Sequence, residues 1–497
     1  MTHDTRRRQA LACALALPAA LLPLLAPTRA AATPGVDEPP LPQAPRPLQL
    51  PAFSQQQLAN GLAVLVAPRP DLPLVSLTLA MRAGPEADPA GRPGVAEMLA
   101  TLWPKGATRA GRAVGASDIA RQAEALGSPL ESRSSWGAGS LAMTVTTPRA
   151  DAALALMADV LRRPLLLADE LERARAQALD GLRVTYGSPG EVAQLALRRS
   201  FWGDAPHGRV APPAAVQRLA LADLQAFQAT WVRPDRVALV LAGDITPEAG
   251  LALAQRLLGD WRAPAAATPA LVLPAPQPLA RPLVLIDLPG AGQTSVAVAA
   301  PFVSQASADR RIGLVANAVL GGGYSARLNQ LVRIQRGLSY GANSSAEAHA
   351  GGGMVAAQCQ TNHPNAAEVL ALLRGEITRL ADAPPSADEL AARQATLAGG
   401  FARRLETTAG LSALLVGQWA AGRPLADLAD HVPQLLAVTP AQVQAFARQH
   451  WPAGALRAVA VGDLAAAGAA LGAQTPDALR LRMAELDLEQ PGLHKPG

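Results

Sequence analysis

The chain has 497 residues, too many for one ordinary core, and two or more domains are expected. Its composition is 49% hydrophobic, which excludes a disordered chain. The formal net charge is +5, but the first 32 residues hold four arginines against one aspartate, so the remainder carries about +2. That balance, with no dense basic block downstream, argues against a nucleic-acid partner.

Residues 1–32 combine Arg6, Arg7 and Arg8, an apolar stretch and small residues near Ala30–Ala32, the pattern of an export signal. Arg6-Arg7 after Thr5 reads either as a twin-arginine signal or as an ordinary charged leader. Prolines interrupt the apolar run, so a retained membrane span is disfavoured, and a periplasmic location is expected. Cys13 lies inside that run rather than after it, so it is not placed as a lipid anchor, and Cys359 is left alone after cleavage. No intrachain disulfide can then form, and residues 33–50 read as a flexible leader.

The first domain is expected over 51–262. It opens with "LANGLAVLVAPRPDLPLVSLTLAMRAG", read as strands. "GVAEMLATLWPKG" reads as a helix with Val95, Leu99 and Leu102 on its apolar face, running into a glycine turn. "WGAGSLAMTVTT", residues 136–147, alternates like a half-buried strand and is offered as an open sheet edge, with an ordinary core strand as the alternative. A helix begins at Asp169, and "DLQAFQATWVRPDRVALVLAGD" gives a helix, a turn and a strand closing at Asp244. Residues 263–282, rich in proline and alanine, read as a stiff linker.

The second domain, 283–465, repeats the first. Asp463 closes "QVQAFARQHWPAGALRAVAVGD" 219 residues after Asp244; the same interval joins Asp169 to Asp388, Ser76 to Ser295 and Leu154 to Leu373. This is a duplication, with a period too long for a solenoid. Each half reads strand, strand, helix, helix, strand, three helices, strand. The fold class is therefore α+β: two homologous domains, each a mainly antiparallel sheet packed with helices. Residues 466–497 form a tail that the sequence leaves either docked or free.

Within the second half, "LGGGYSARLNQLVRIQRGLSYG" places Gly321, Gly322 and Gly323 in a turn before a helix starting at Tyr324 or Ser325. Leu328, Leu331 and Val332 form its apolar face, Gly337 a left-handed stop, and a strand follows from Leu338. The turn lacks Gly-Lys-Ser/Thr, so it is no phosphate loop. It reads as close packing or substrate-facing backbone.

The paired halves and the segment from Gly94 to Gly106 resemble the inverted zinc metallopeptidases, the insulinase, pitrilysin and mitochondrial-processing-peptidase family. The resemblance covers nearly all of the chain after the leader and implies a clam-shell of two such domains. In that family the first-half helix carries H-x-x-E-H: two histidines hold zinc and the glutamate is general base. The matching positions here are Glu97, Ala100 and Thr101, and around the third ligand's position stand Gln177 and Asp180, with no certain glutamate. Alanine cannot move a proton and threonine is a poor zinc ligand, so no metal is expected in this chain. Glu97 then reads as a solvated or capping helix residue.

The family's second-half arginine and tyrosine, seven apart, are matched by Arg333 and Tyr340. The resemblance implies that they hold peptide and stabilise the oxyanion. By residue type alone, such an arginine is usually solvated and such a tyrosine usually core. The asymmetry implies a non-catalytic subunit serving a homologous partner that carries H-x-x-E-H and zinc, with an extended peptide as substrate. The alternative is an inert scaffold or peptide-binding member of the same fold. A solitary Ser or Cys hydrolase has weak support, since Cys359 has no base beside it except the distant His349 and His363 and there is no G-x-S-x-G.

Overall fold

The computed structural model describes residues 48–473 and 477–495; the expected export signal lies outside them. Among these residues no helix is long and apolar enough to cross a membrane.

The first half supplies β1 (Ser54–Gln57), β2 (Ala63–Pro68), β3 (Leu74–Met81), β4 (Gly106–Arg109), β5 (Arg112–Gly115), β6 (Glu131–Ser135), β7 (Ala138–Thr146) and β8 (Val237–Gly243). The second supplies β9 (Leu283–Asp287), β10 (Thr294–Phe302), β11 (Ala342–His349), β12 (Gly352–Thr361), β13 (Arg457–Gly462) and β14 (Leu479–Arg482). Six strands form a sheet in the order β1-β2-β8-β3-β7-β6, and six more in the order β11-β12-β10-β13-β9-β14. Reading the second order backwards matches β2 to β9, β8 to β13, β3 to β10, β7 to β12 and β6 to β11. The β4-β5 hairpin, a separate two-stranded piece, was not read from the sequence.

The outermost strands differ in origin. β1 precedes its neighbour and pairs with β2 antiparallel. β14 comes from the C-terminal tail and pairs with β9 parallel. The tail therefore docks: Leu481, Leu488 and Leu493 are buried. Between the halves, no helix or strand is formed from Arg262 to Pro282, as proline content dictates.

Each sheet has one face covered by helices of its own half. The other face is covered by a helix from the opposite half. Helix Pro189–Trp202 lays Val192, Ala193, Ala196 and Leu197 on Val284, Ala297, Ala299 and Val459 of the second sheet. Helix Thr408–Ala420 lays Leu411, Leu414, Leu415 and Trp419 on Leu65, Ala80, Ala238 and Val240 of the first. Pro189 and Thr408 are 219 residues apart, so the exchanged helices are equivalent copies. Small hydroxyls let the foreign helix approach closely: Ser76 Oγ lies 2.8 Å from Thr408 Oγ1, and Thr78 Oγ1 2.8 Å from Ser412 Oγ.

Two expectations need correction. β7 is not an edge; it pairs with β3 on one side and β6 on the other, and β6 is the edge. The strand after Gly337 begins at Ala342, not Leu338, because Ser339 ties the intervening loop by accepting from Gly341 N and donating to Gln360 O.

Candidate functional site

The segment Gly94–Gly106 forms helix Val95–Leu102, then a turn through Trp103–Lys105 into β4. Val95, Leu99 and Leu102 are buried as the spacing predicts. Gly94 enters the helix at φ +98°, a conformation that favours glycine. The N-terminus is capped by Asp88, whose two carboxylate oxygens accept from Gly94 N (2.6 Å) and Ala96 N (2.8 Å). Burial pushes Asp88 up to about 7 despite those two hydrogen bonds. Sequence reasoning missed this cap, because the aspartate stands six residues before Gly94, outside the usual capping interval.

The helix forms one wall of a cavity of about 750 Å³. Glu97 and Thr101 face it one turn apart, with Thr101 Oγ1 donating to Glu97 O at 3.0 Å. Glu97 is exposed as a residue, yet the surrounding protein desolvates its carboxyl enough to raise its pKa. Ala100 is buried, and its carbonyl accepts from Ser132 Oγ of β6 at 2.6 Å. The opposite wall is helix Ala168–Gly187, which turns Ala174, Ala178 and Gly181 to the cavity. Gln177 is exposed and does not line it, which corrects the expected position of the third ligand. The 3.6-residue period puts Gln177 on the next face of that helix.

This donor set does not fit zinc. A tetrahedral site needs three protein ligands converging on one point. The cavity offers one carboxylate, Glu97; the other polar side chains that line it are the hydroxyls of Thr101, Thr185 and the serines of β6 and β7, which are poor zinc ligands, and the cation Arg133. Among the described residues no group of three His, Cys, Asp or Glu side chains could hold a metal.

Arg333 and Tyr340 do not line this cavity. The second-half helix starts at Arg327, two or three residues later than expected, and widens into a π-turn over Gln330–Gln335, with Arg336 N donating to Leu331 O at 3.2 Å. Such turns are frequent at functional sites. Leu328 and Val332 anchor it in the core. Arg333 projects outward with its guanidinium 5.0 Å above the Tyr324 ring. Tyr340 is 91% exposed, and its phenol makes no hydrogen bond among the described residues. It borders a second cavity, of about 270 Å³, with Gln194, Asn343, Gln358 and Gln360. The two cavities share no lining residue, so the structure does not bring Tyr340 into one pocket with Glu97, Ala100 and Thr101. Arg333 lines neither.

Of the three glycines, Gly321 ends helix Arg310–Gly321 and is buried against β11. A Cβ there would come within 2.5 Å of Ser344 N, so it serves close packing and not substrate. Gly322 backs onto Ala318 in the same way, while Gly323 is more open.

Cys359 is buried, which raises its thiol pKa. His363 is committed to Thr294 Oγ1 and Ala291 O. His349 stacks on His207 at 4.1 Å. No nucleophile and base are paired there.

Two family profiles match in tandem: "Insulinase (Peptidase family M16)" over residues 64–210 and "Peptidase M16 inactive domain" over 218–397. The chain belongs to the insulinase family. It is a member without the zinc motif. An uncharacterized zinc protease of Streptomyces coelicolor is 25% identical over 308 residues, 60% of this chain and 66% of that one. One from Mycobacterium tuberculosis is 24% identical over 256 residues, 51% of this chain and 58% of that one. The chain thus spans a little under two thirds of these relatives' length. Among solved structures, the peptidase M16 inactive domain from Pseudomonas fluorescens superposes with TM-score 0.76 at 25% identity, covering 82% of this chain and 98% of that one. A Helicobacter pylori protease has the same fold, with TM-score 0.75 at 17% identity over 83% of this chain and all of that one.

Proposed function

We propose that this insulinase-family chain is the zinc-free subunit of a heteromeric, exported peptidase. It would present Arg333 and Tyr340 to a peptide at the zinc site of a homologous H-x-x-E-H partner. The observation that carries this reading is Tyr340: a phenol 91% exposed, without a hydrogen-bond partner among the described residues, on a loop pinned by Ser339. A core or capping role would bury it. A phenol held this way suits donation to a developing oxyanion. The lack of a zinc ligand set in this chain's own cavity favours action at a partner's metal over action within the chain. Among the described residues β6 is the outer strand of its sheet, and it offers an edge beside the cavity of helix Val95–Leu102 for an extended peptide, through backbone hydrogen bonds. The leader at residues 1–32 supports export to the periplasm.

The test is cleavage of a mixed peptide library by the mature chain, by the zinc-motif homologue, and by both together. Only the mixture should cut, and Tyr340→Phe should slow it by ~10²–10³-fold. Zinc-dependent cleavage by this chain alone would overturn the proposal.

The second reading is a scaffold or peptide-capturing member. It is favoured by Arg333, which lies over Tyr324 instead of standing free. Complex formation with the homologue, with cleavage indifferent to Tyr340→Phe, would select it.

A further inference from the structure

Away from both cavities, four arginines gather where the helices of the second half meet. Arg310 and Arg311 are the first two residues of helix Arg310–Gly321, where the helix dipole is already positive. Arg404 comes from the last turn of helix Ala387–Leu405, and Arg423 from the loop after the exchanged helix Thr408–Ala420. His431, against the Phe401 ring at 4.5 Å, stands in their midst. All four guanidiniums act on it electrostatically, and Arg311 and Arg423 also act on Arg310.

Counter-charge is nearly absent. Asp427 is the carboxylate that acts on Arg310 and Arg423, but among the described residues none of the four guanidiniums has a carboxylate oxygen within 4.0 Å. Arg311 donates only to the main-chain oxygen of Asp427, at 3.3 Å. Arg310, Arg404 and Arg423 donate no side-chain hydrogen bond among these residues. Nε of Arg311 and Nε of Arg423 are buried without a partner. Elsewhere the chain pairs its arginines freely, as in the bidentate contact of Arg327 with Glu389. Half-buried cations without partners are costly, and orphaned donors inside a protein call for an acceptor.

We propose that Arg310, Arg311, Arg404 and Arg423 form a binding site for a polyvalent oxyanion of the phosphate class. Guanidinium forks match phosphate oxygens in pairs. Three of the arginines are recessed, with only Arg404 exposed, which suits a small anion more than a broad macromolecular surface. The site is independent of the role given to Tyr340.

The test is thermal unfolding of the full mature chain titrated with inorganic pyrophosphate, with chloride at matched ionic strength as reference. Pyrophosphate should raise the midpoint of the wild type by several degrees. Arg310→Gln/Arg423→Gln should lose that response and, with repulsion relieved, unfold at a higher midpoint than wild type without anion. Arg112→Gln, in the exposed β5, should respond like wild type. Equal responses in wild type and the double variant, or none in either, would overturn the proposal. If the double variant does not fold, calorimetric titration of the wild type decides: no saturable heat overturns it. Sedimentation with phosphatidylglycerol vesicles separates the sources. Cosedimentation lost in the double variant assigns a lipid headgroup; pyrophosphate stabilisation without cosedimentation assigns a free anion.

Discussion

At the scale of single residues, identity and environment carry different information. That Ala100 and Thr101 cannot serve zinc follows from the letters alone. That Tyr340 is a surface phenol does not, since a tyrosine entering a strand is usually buried; the late start of β11 leaves it outside. The stacked pair His207–His349 was likewise invisible, because its members are 142 residues apart in the chain. Trp136 and Trp202 enclose the pair, and Arg198 bridges to Glu347 at 2.8 Å beside it. Burial, then the facing His349, lowers His207 to about 3 from an unfolded value near 6.5. Stability from the neutral ring is fully present above about 6.5 and is lost as pH falls toward 3, because the unfolded state binds the proton first. Between pH 7 and pH 5 this amounts to ~2 kcal/mol. His207→Phe should flatten the dependence of the unfolding midpoint over that interval. Parallel curves for the two proteins would remove the histidine pair as its cause.

At the scale of elements, hydrophobic period placed most helices. Val369, Leu373, Ile377 and Leu380 are all buried on helix Ala366–Asp382. It failed at strand edges, because alternation shows that a strand is half-buried but not whether a neighbour pairs with it. β7 alternates well and is internal; β6, "ESRSS", has little hydrophobic signal and is the edge. Glycine roles also needed the fold. Gly321→Ala would drive a methyl into the β11 backbone and should cost ~1–3 kcal/mol in denaturant unfolding. Gly375→Ala, on an exposed helical face with nothing within 4 Å, should instead stabilise by ~0.5–1 kcal/mol. A similar loss at both positions would mean that the close approach to Ser344 is not what constrains Gly321.

At the scale of the whole molecule, the duplicated halves are interlocked. Each sheet has one face that only the other half's helix can cover, and residues Gln49–Gly497 form one compact unit. Residues 48–262 expressed alone should lack the cover supplied by Thr408–Ala420. Residues 263–497 should lack Pro189–Trp202. Each half is expected to aggregate or remain unfolded by circular dichroism, and coexpression of the two should restore a cooperative fold. A stable, monomeric half would show that the exchanged helices are dispensable for folding.

The sequence by itself determined the duplication, the α+β class, the family and the loss of the zinc ligands. All of these rest on residue identity at fixed intervals along the chain. Only the tertiary structure decided that the halves trade helices, that β6 is the open edge, that Gln177 turns away from the cavity and that four arginines gather with no ion pair among the described residues. Those features depend on which distant segments meet, and the interval between two residues in a chain does not specify their separation in space.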